Sequence, residues 1–174
     1  YQELPNSILN ADPYKLNAVM LYYTDPLSAL ADVKRAREAF MQVPFIVSFS
    51  PFWSEGAMIS DYILPDDTYL ERWGDDVIYP SLGFEHYTIR QPVVERVFDT
   101  RSTFDVLIQL AKTMGGSMAE SFARFETAEE IIKYRAEGIS ESGEGSITAG
   151  THDEWWEKFK EVGVWQNPPY RFGE

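Results

Sequence analysis

The first concentration of apolar residues is "NAVMLYYTDP" (residues 17–26), a short β-rich run that Asp25-Pro26 interrupts, and it reads as a buried strand ending in a turn. Ser28 then opens a helix. From Leu27 to Met41 the apolar positions Leu30, Val33, Ala36 and Phe40 recur at helical spacing, while Asp32, Lys34, Arg35 and Glu38 face water. "VPFIVSFS" follows as a second buried strand. Strand, helix and strand in this order make a parallel crossover unit, whose right-handed connection brings both strand C-terminal ends to one edge of a sheet. Asp25 and Ser50 are thereby expected at the same rim. A turn and short helix over Ser54 to Ser60, then a third short strand "DYILP", continue the pattern. The expected strands lie near residues 17–24, 45–50 and 61–64, with the 28–41 helix packed on one face.

Beyond Pro65 the period fades. "DDTYLERWGDDVIYPSLGFEHYTIRQPVV" mixes aromatics, Gly and Pro and reads as a long irregular connection, its carboxylates Asp66, Asp67, Glu71, Asp75 and Asp76 as solvated loop faces. Arg90 and Arg96 are expected to pair with nearby carboxylates. His86 either lines a substrate funnel or makes a structural hydrogen bond. "TRSTFDVLIQLAKTMGG" predicts a helix with Phe104, Leu107, Ile108 and Ala111 on one face and Gly115-Gly116 as its stop. "TAEEIIKYRAEGI" predicts another, opened by a Thr127/Glu130 capping box. "SESGEGSITAG" reads as a mobile surface loop, and "THDEWWEKFKEVGVW" as a last amphipathic helix. Its Trp155 and Trp156, with Trp165, are expected to pack against a neighbouring domain rather than to stack bases. No internal repeat is present. The fold class expected is α/β, a parallel-sheet Rossmann-like domain with helices on both faces and a helical C-terminal appendage, divided as residues 1–116 and 117–174.

Composition narrows the function. With 44% hydrophobic and 15% aromatic residues, 174 residues suffice for a well-buried domain. The net charge of -13 repels a phosphate backbone and anionic lipid, so neither nucleic acid nor a membrane surface is an expected partner. No apolar run approaches the roughly 20 residues of a membrane-spanning helix. The chain has no cysteine and only two histidines, His86 and His152, which excludes thiolate metal sites and leaves any chemistry to carboxylates, backbone groups or a borrowed cofactor. Opening at Tyr1 in a Pro/Asn-containing stretch, it reads as a piece of a larger polypeptide.

"YYTDPLS" after a buried strand, then "VSFSPFWSEGAMISDYILPDDTYLERW", then "IRQPVVERVFDTRSTFDVLIQLAKTMGG" resemble the third domain of the large molybdopterin oxidoreductases of the dimethyl sulfoxide reductase superfamily, above all the tetrathionate, polysulfide and thiosulfate reductase branch. The likeness spans roughly residues 13–116. Family members read Tyr-x-Asn-Pro where this chain has Thr24-Asp25-Pro26, and Thr where it has Gly56. The resemblance implies that residues 1–116 hold the guanosine half of one molybdopterin guanine dinucleotide at the strand ends, with Thr24, Asp25, Ser28, Ser50, Ser54, Glu55 and Asp61 as the cofactor-binding candidates and no catalytic residue or metal ligand of its own.

The same resemblance implies a parent carrying two such dinucleotides on molybdenum and an iron-sulfur cluster outside this chain. It further implies an iron-sulfur electron-transfer subunit and a membrane-anchor subunit as partners, an extracytoplasmic location, and an oxidised sulfur compound such as tetrathionate as substrate. Free backbone N–H groups at the turn into the Ser54 helix fit an anion, and short acceptors such as Asp25 and Ser50 fit a ribose diol. Beside this stand plainer readings: Asp25-Pro26 as a turn with an Asx-type bond, and Ser50 or Ser54 as helix caps. Asp25 for Asn and Gly56 for Thr also feed an alternative, a non-catalytic scaffold or subunit-docking domain that keeps the fold without the cofactor.

Overall fold

In a computed structural model, which describes residues 2–77 and 83–167, the chain forms two compact units, Tyr1–Asp67 with Val97–Thr103, and Thr68–Arg96 with Phe104–Glu174. The remainder of the expected connection and of the expected C-terminal appendage falls outside the described residues. The units divide at Asp67 rather than at residue 116.

The first unit begins with α1 (Leu4–Asn10), which Pro5 starts and Ala11 ends in the left-handed conformation, φ 54°. Three parallel strands follow, β1 (Val19–Tyr22), β2 (Ile46–Phe49) and β3 (Tyr62–Leu64), in the spatial order β1-β2-β3. Their register sets Val19 opposite Ile46, Tyr22 opposite Phe49, and Phe49 opposite Leu64, so all three strands run out at one edge. The central strand is buried throughout, as its unbroken apolar run requires.

Between β1 and β2 the expected single helix is two: α2 (Pro26–Ala29) and α3 (Val33–Phe40). Two aspartates cause the break. Asp25 and Asp32 have non-helical backbones and accept from Leu27 N and Arg35 N, each capping its own helix, and Leu30 between them is extended. Leu27, Leu30, Ala36, Ala39 and Phe40 from these helices join Ile8, Leu21 and Ile46 in one core cluster. Since side chains alternate along a strand, that core lies on the Leu21 face of the sheet, whereas Met20, Tyr22 and Tyr62 of the opposite face are exposed. A fourth short helix, α4 (Glu55–Met58), links β2 to β3.

Asp66 and Asp67, expected in water, are among the most deeply buried residues, 1% and 0% exposed. The segment Val97–Thr103 supplies the reason. Thr103 N donates to Asp66 Oδ1 at 2.8 Å, Thr100 Oγ1 donates to Asp67 Oδ1 at 2.7 Å, and Arg101 N donates to Pro65 O at 3.1 Å beside an Asp66–Arg101 bridge. Donors brought from about 35 residues away offset the desolvation that sequence alone would charge to two adjacent carboxylates.

The second unit contains the antiparallel sheet that the supposed irregular connection conceals. Here β4 (Gly74–Val77) pairs with β5 (His86–Arg90), and β5 with β6 (Val164–Gln166). Gly74 admits the Arg90 side chain, whose Nη2 would stand 2.6 Å from any added Cβ. Helices α5 (Thr103–Met114), α6 (Gly116–Phe122), α7 (Ala128–Arg135), α8 (Glu137–Ser142) and α9 (His152–Val162) complete the element list. Gly115, at φ 76°, ends α5 as expected, and the Thr127/Glu130 capping box opens α7.

Trp155, Trp156 and Trp165 do not wait for another domain. With Tyr87, Ile132, Ala136, Ile147 and Phe159 they are this unit's own core. The indole of Trp155 donates to Ile147 O and that of Trp165 to Glu144 O, each at 3.0 Å. The Gly/Ser-rich segment expected to be mobile is therefore pinned: Ile147 is buried, and Ser146 N donates to Gln166 O at 2.7 Å. Tyr87 donates to Asp75 Oδ2 at 2.7 Å, and Arg135 meets the same oxygen at 2.7 Å, which fastens α7 to β4. Burial, then the Asp75 carboxylate, push the Tyr87 hydroxyl far above its ordinary pKa, so it stays a protonated donor. Arg96 pairs with Asp105 at 3.8 Å, as expected. Buried His86 lies 5.7 Å from the Phe84 ring, and its Nδ1 has no hydrogen-bond partner among the described residues.

If the tryptophans are internal core, Trp156→Ala destabilises the chain by about 3–5 kcal/mol, and loss of the α7 cap in Thr127→Ala by only about 1 kcal/mol. Urea unfolding followed by tryptophan fluorescence measures both; a Trp156→Ala cost below that of Thr127→Ala contradicts the assignment.

Candidate functional site

The three parallel strands end in three turns, and these carry most of the residues expected to bind a cofactor. β1 leads through Tyr23, at φ 50°, and exposed Thr24 to Asp25. β2 leads through Ser50, Pro51, Phe52 and Trp53 to Ser54, and β3 leads through Pro65 to the buried aspartates. The rim exists as parallel topology demands. Asp61 is not on it. It precedes β3 and accepts from Ile46 N at 2.7 Å through Oδ2, pinning the start of β2 at the opposite edge, about 10 Å away along a three-residue strand.

Asp25 uses both carboxylate oxygens within the rim. Its Oδ1 accepts from Leu27 N at 3.0 Å and from Gly56 N at 3.1 Å, and its Oδ2 accepts from Ser28 Oγ at 3.1 Å. The first bond is the Asx-type cap of α2; the second crosses to the turn after β2. Gly56 fits closely there: an added Cβ would lie 3.0 Å from Asp25 Oδ1 and 3.3 Å from Pro26 Cδ, so these neighbours would have to give by a few tenths of an ångström. Two of the positions at which this chain departs from the pattern it resembles, Asp25 and Gly56, are thus in direct contact.

The amides expected to meet phosphates are committed in the same way. Gly56 N goes to Asp25, Ala57 N to the Ser54 hydroxyl at 3.1 Å, and Met58 N to Ser54 O at 3.0 Å. Three of the four amides of α4 are thus bonded within the chain. Ser50 turns inward too: its hydroxyl donates to Phe52 O at 2.7 Å and accepts from Phe52 N at 3.1 Å. Ser28 and Glu55 are exposed, the former bonded to Asp25 and the latter in the first turn of α4.

What the Ser50 turn does present is aromatic surface. A cavity of about 380 Å³ opens at the ends of β2 and β3, lined by Ser50, Pro51, Phe52, Trp53, Ile63 and Pro65. Phe52 and Trp53 are 73% and 80% exposed. Sequence reading selected the polar members of "SFSPFWSEG" and passed over these two rings, although two adjacent large aromatics between a strand and a cap are a usable signal. Among the described residues no group of three or more His, Asp or Glu side chains could hold a metal ion.

The carboxylate bridge makes a direct prediction. Asp25→Ala, which strands the Leu27 and Gly56 amides, costs about 1–3 kcal/mol, whereas Asp25→Asn keeps an acceptor for both and stays within about 0.5 kcal/mol of the parent sequence. Gly56→Ala destabilises in the Asp25 background and by less in Asp25→Ala, a non-additivity that a denaturation double-mutant cycle detects.

The solved acetylene hydratase of Pelobacter acetylenicus superposes on 98% of this chain with a TM-score of 0.72 at 22% identity, and 21% of that protein is covered; the likeness speaks to the fold. Among curated proteins the chain is 24% identical to the arsenate respiratory reductase molybdopterin-containing subunit ArrA of Shewanella sp., over 95% of this chain and 21% of that one. It is 35% identical to the menaquinone reductase molybdopterin-binding-like subunit of Nitratidesulfovibrio vulgaris, over 56% and 14%. It is 29% identical to the thiosulfate reductase molybdopterin-containing subunit PhsA of Salmonella typhimurium, over 66% and 15%. The chain thus spans about a fifth or less of the length of these relatives. The family model for molybdopterin oxidoreductase matches residues 3–113, a stretch that contains the whole parallel sheet and its rim, and the chain belongs to that family.

Proposed function

We propose that this chain is the part of a molybdenum-dependent oxidoreductase that seats the guanosine half of a molybdopterin guanine dinucleotide at the C-terminal edge of its parallel sheet. The cavity walled by Phe52, Trp53, Ile63 and Pro65 carries the reading, because open α/β sheets take ligands at their strand ends and the pocket is of ligand size. Flat aromatic and proline walls fit a planar base. The Ser50 turn holds the Phe52 and Trp53 wall in place, Asp25 fixes the neighbouring turn, and Thr24, Ser28, Ser54 and Glu55 lie in the same strand-end turns. When bound, the molybdopterin supplies redox chemistry through its metal; this chain's residues bind and orient its nucleotide end.

The parent, on this proposal, uses two such dinucleotides on molybdenum and an iron-sulfur cluster held by other segments, since a chain without cysteine supplies no thiolate. It reduces an oxidised sulfur compound such as tetrathionate, with an iron-sulfur electron-transfer subunit and a membrane-anchor subunit, on the extracytoplasmic side. The likeness to a thiosulfate reductase subunit supports the substrate class. No helix among the described residues is long and apolar enough to cross a membrane.

A second reading has its own support. The polar groups expected to contact cofactor are bonded within the chain, which is what a scaffold or subunit-docking domain without cofactor would retain. Quantifying molybdenum and guanine in the purified parent separates the two. On the cofactor reading both are present, Ser50→Val lowers both at least about fivefold as the Phe52–Trp53 wall loses its anchor, and Glu161→Gln in the second unit leaves them unchanged. Absence of both from the unmodified parent establishes the scaffold. The 174-residue chain alone turns over no sulfur oxyanion in a reduced-dye assay; turnover there would place catalytic groups in this chain.

A further inference from the structure

We infer that Phe52 and Trp53 form a stacking platform that selects flat heterocycles while discriminating little between purine bases. The inference rests on the nucleotide reading above and deepens it: it names what the site recognises and which residue decides.

Among the side chains that line the cavity, little hydrogen-bonding capacity is left. Pro51 and Pro65 have no N–H to give, and Ile63 is apolar. The Ser50 hydroxyl has donated its proton to Phe52 O, and Phe52 N is held by the same hydroxyl. Asp25 uses three of its roughly four acceptor sites on Leu27, Gly56 and Ser28. Reading a base by its edge requires donors and acceptors that are still unbonded, because discrimination comes from polar groups that the wrong base leaves unpaired. The indole N–H of Trp53 is the remaining side-chain donor of the lining, and it cannot separate guanine from adenine through N7, an acceptor that both present.

What remains is area. Phe52 and Trp53 expose most of their surface at the mouth of the cavity, and base-aromatic stacking is tolerant of base identity because every base has a π-face. Charge points the same way. A chain of net charge -13 offers a phosphate no long-range attraction, and the Gly56, Ala57 and Met58 amides of α4 are already bonded within the chain, so affinity is expected to come mainly from the ring.

The test is a titration of the ¹⁵N-labelled 174-residue chain with GMP, AMP and ribose 5-phosphate, read at the indole N–H signals of its five tryptophans. The buried Trp155, Trp156 and Trp165 report that the chain is folded, and Trp53 reports the site. GMP and AMP are expected to shift Trp53 with affinities within about threefold of each other, and ribose 5-phosphate to leave it unmoved. Trp53→Phe keeps nucleotide affinity within about threefold, followed at the Ser50 and Ser54 amides, while Trp53→Ala weakens GMP and AMP alike by about tenfold or more. A GMP preference over AMP above about tenfold, ribose 5-phosphate binding as well as GMP, or an unchanged affinity in Trp53→Ala overturns the platform and leaves the nucleotide seat standing. If no nucleotide shifts any rim signal while the buried tryptophans keep native positions, the seat itself is wrong and the platform falls with it.

Discussion

The carboxylate of Asp25 joins the two turns on which the rim depends. By accepting from Leu27 N and Gly56 N it caps α2 and ties the end of β1 to the turn that follows β2. Two strand ends held by one charged acceptor cannot drift apart without stranding the Gly56 amide, and charge-assisted bonds of this kind are stronger than neutral ones. The geometry also leaves little room for a side chain at position 56, since an added Cβ would sit 3.0 Å from Oδ1. The residue after β1 and the residue after β2 are thereby coupled.

That economy of polar groups shapes the ligand surface. Where Asp25, Ser50, Ser54 and the α4 amides bond one another, the strand ends show a ligand mostly ring faces and proline edges. On the proposed nucleotide reading, the chain's part would be to orient a cofactor through shape and stacking. A rim already satisfied within itself is also stable without ligand, which suits a domain whose fold must stand whether or not cofactor has arrived.

Burial of charge follows the same rule elsewhere. Asp66 and Asp67 lie inside because Thr100 and Thr103 bring donors to them, and Asp75 lies inside because Tyr87 and Arg135 do. In each case the carboxylate joins segments remote in sequence, and the desolvation cost is offset only once those segments meet. The second unit's aromatic core works likewise: Trp155 and Trp156 on α9 become interior only when β6 pairs with β5 and brings Trp165 across from Tyr87.

The sequence by itself determined whatever is encoded within a few residues. The three parallel strands, the α5 stop at Gly115, the Thr127 capping box and the common rim of Asp25 and Ser50 were legible because apolar period, cap and turn chemistry act over one helical turn or one crossover. Family motifs added the class. Only the tertiary structure decided that "GDDV" is a strand, since its partner β5 and the third strand β6 lie up to about 90 residues on, and that Asp66 and Asp67 are interior. It also decided that Asp61 belongs to the far edge and that Asp25 faces Gly56. In every such case the deciding group is a hydrogen-bond partner distant along the chain, and one-dimensional pattern carries no distance between segments that meet only on folding.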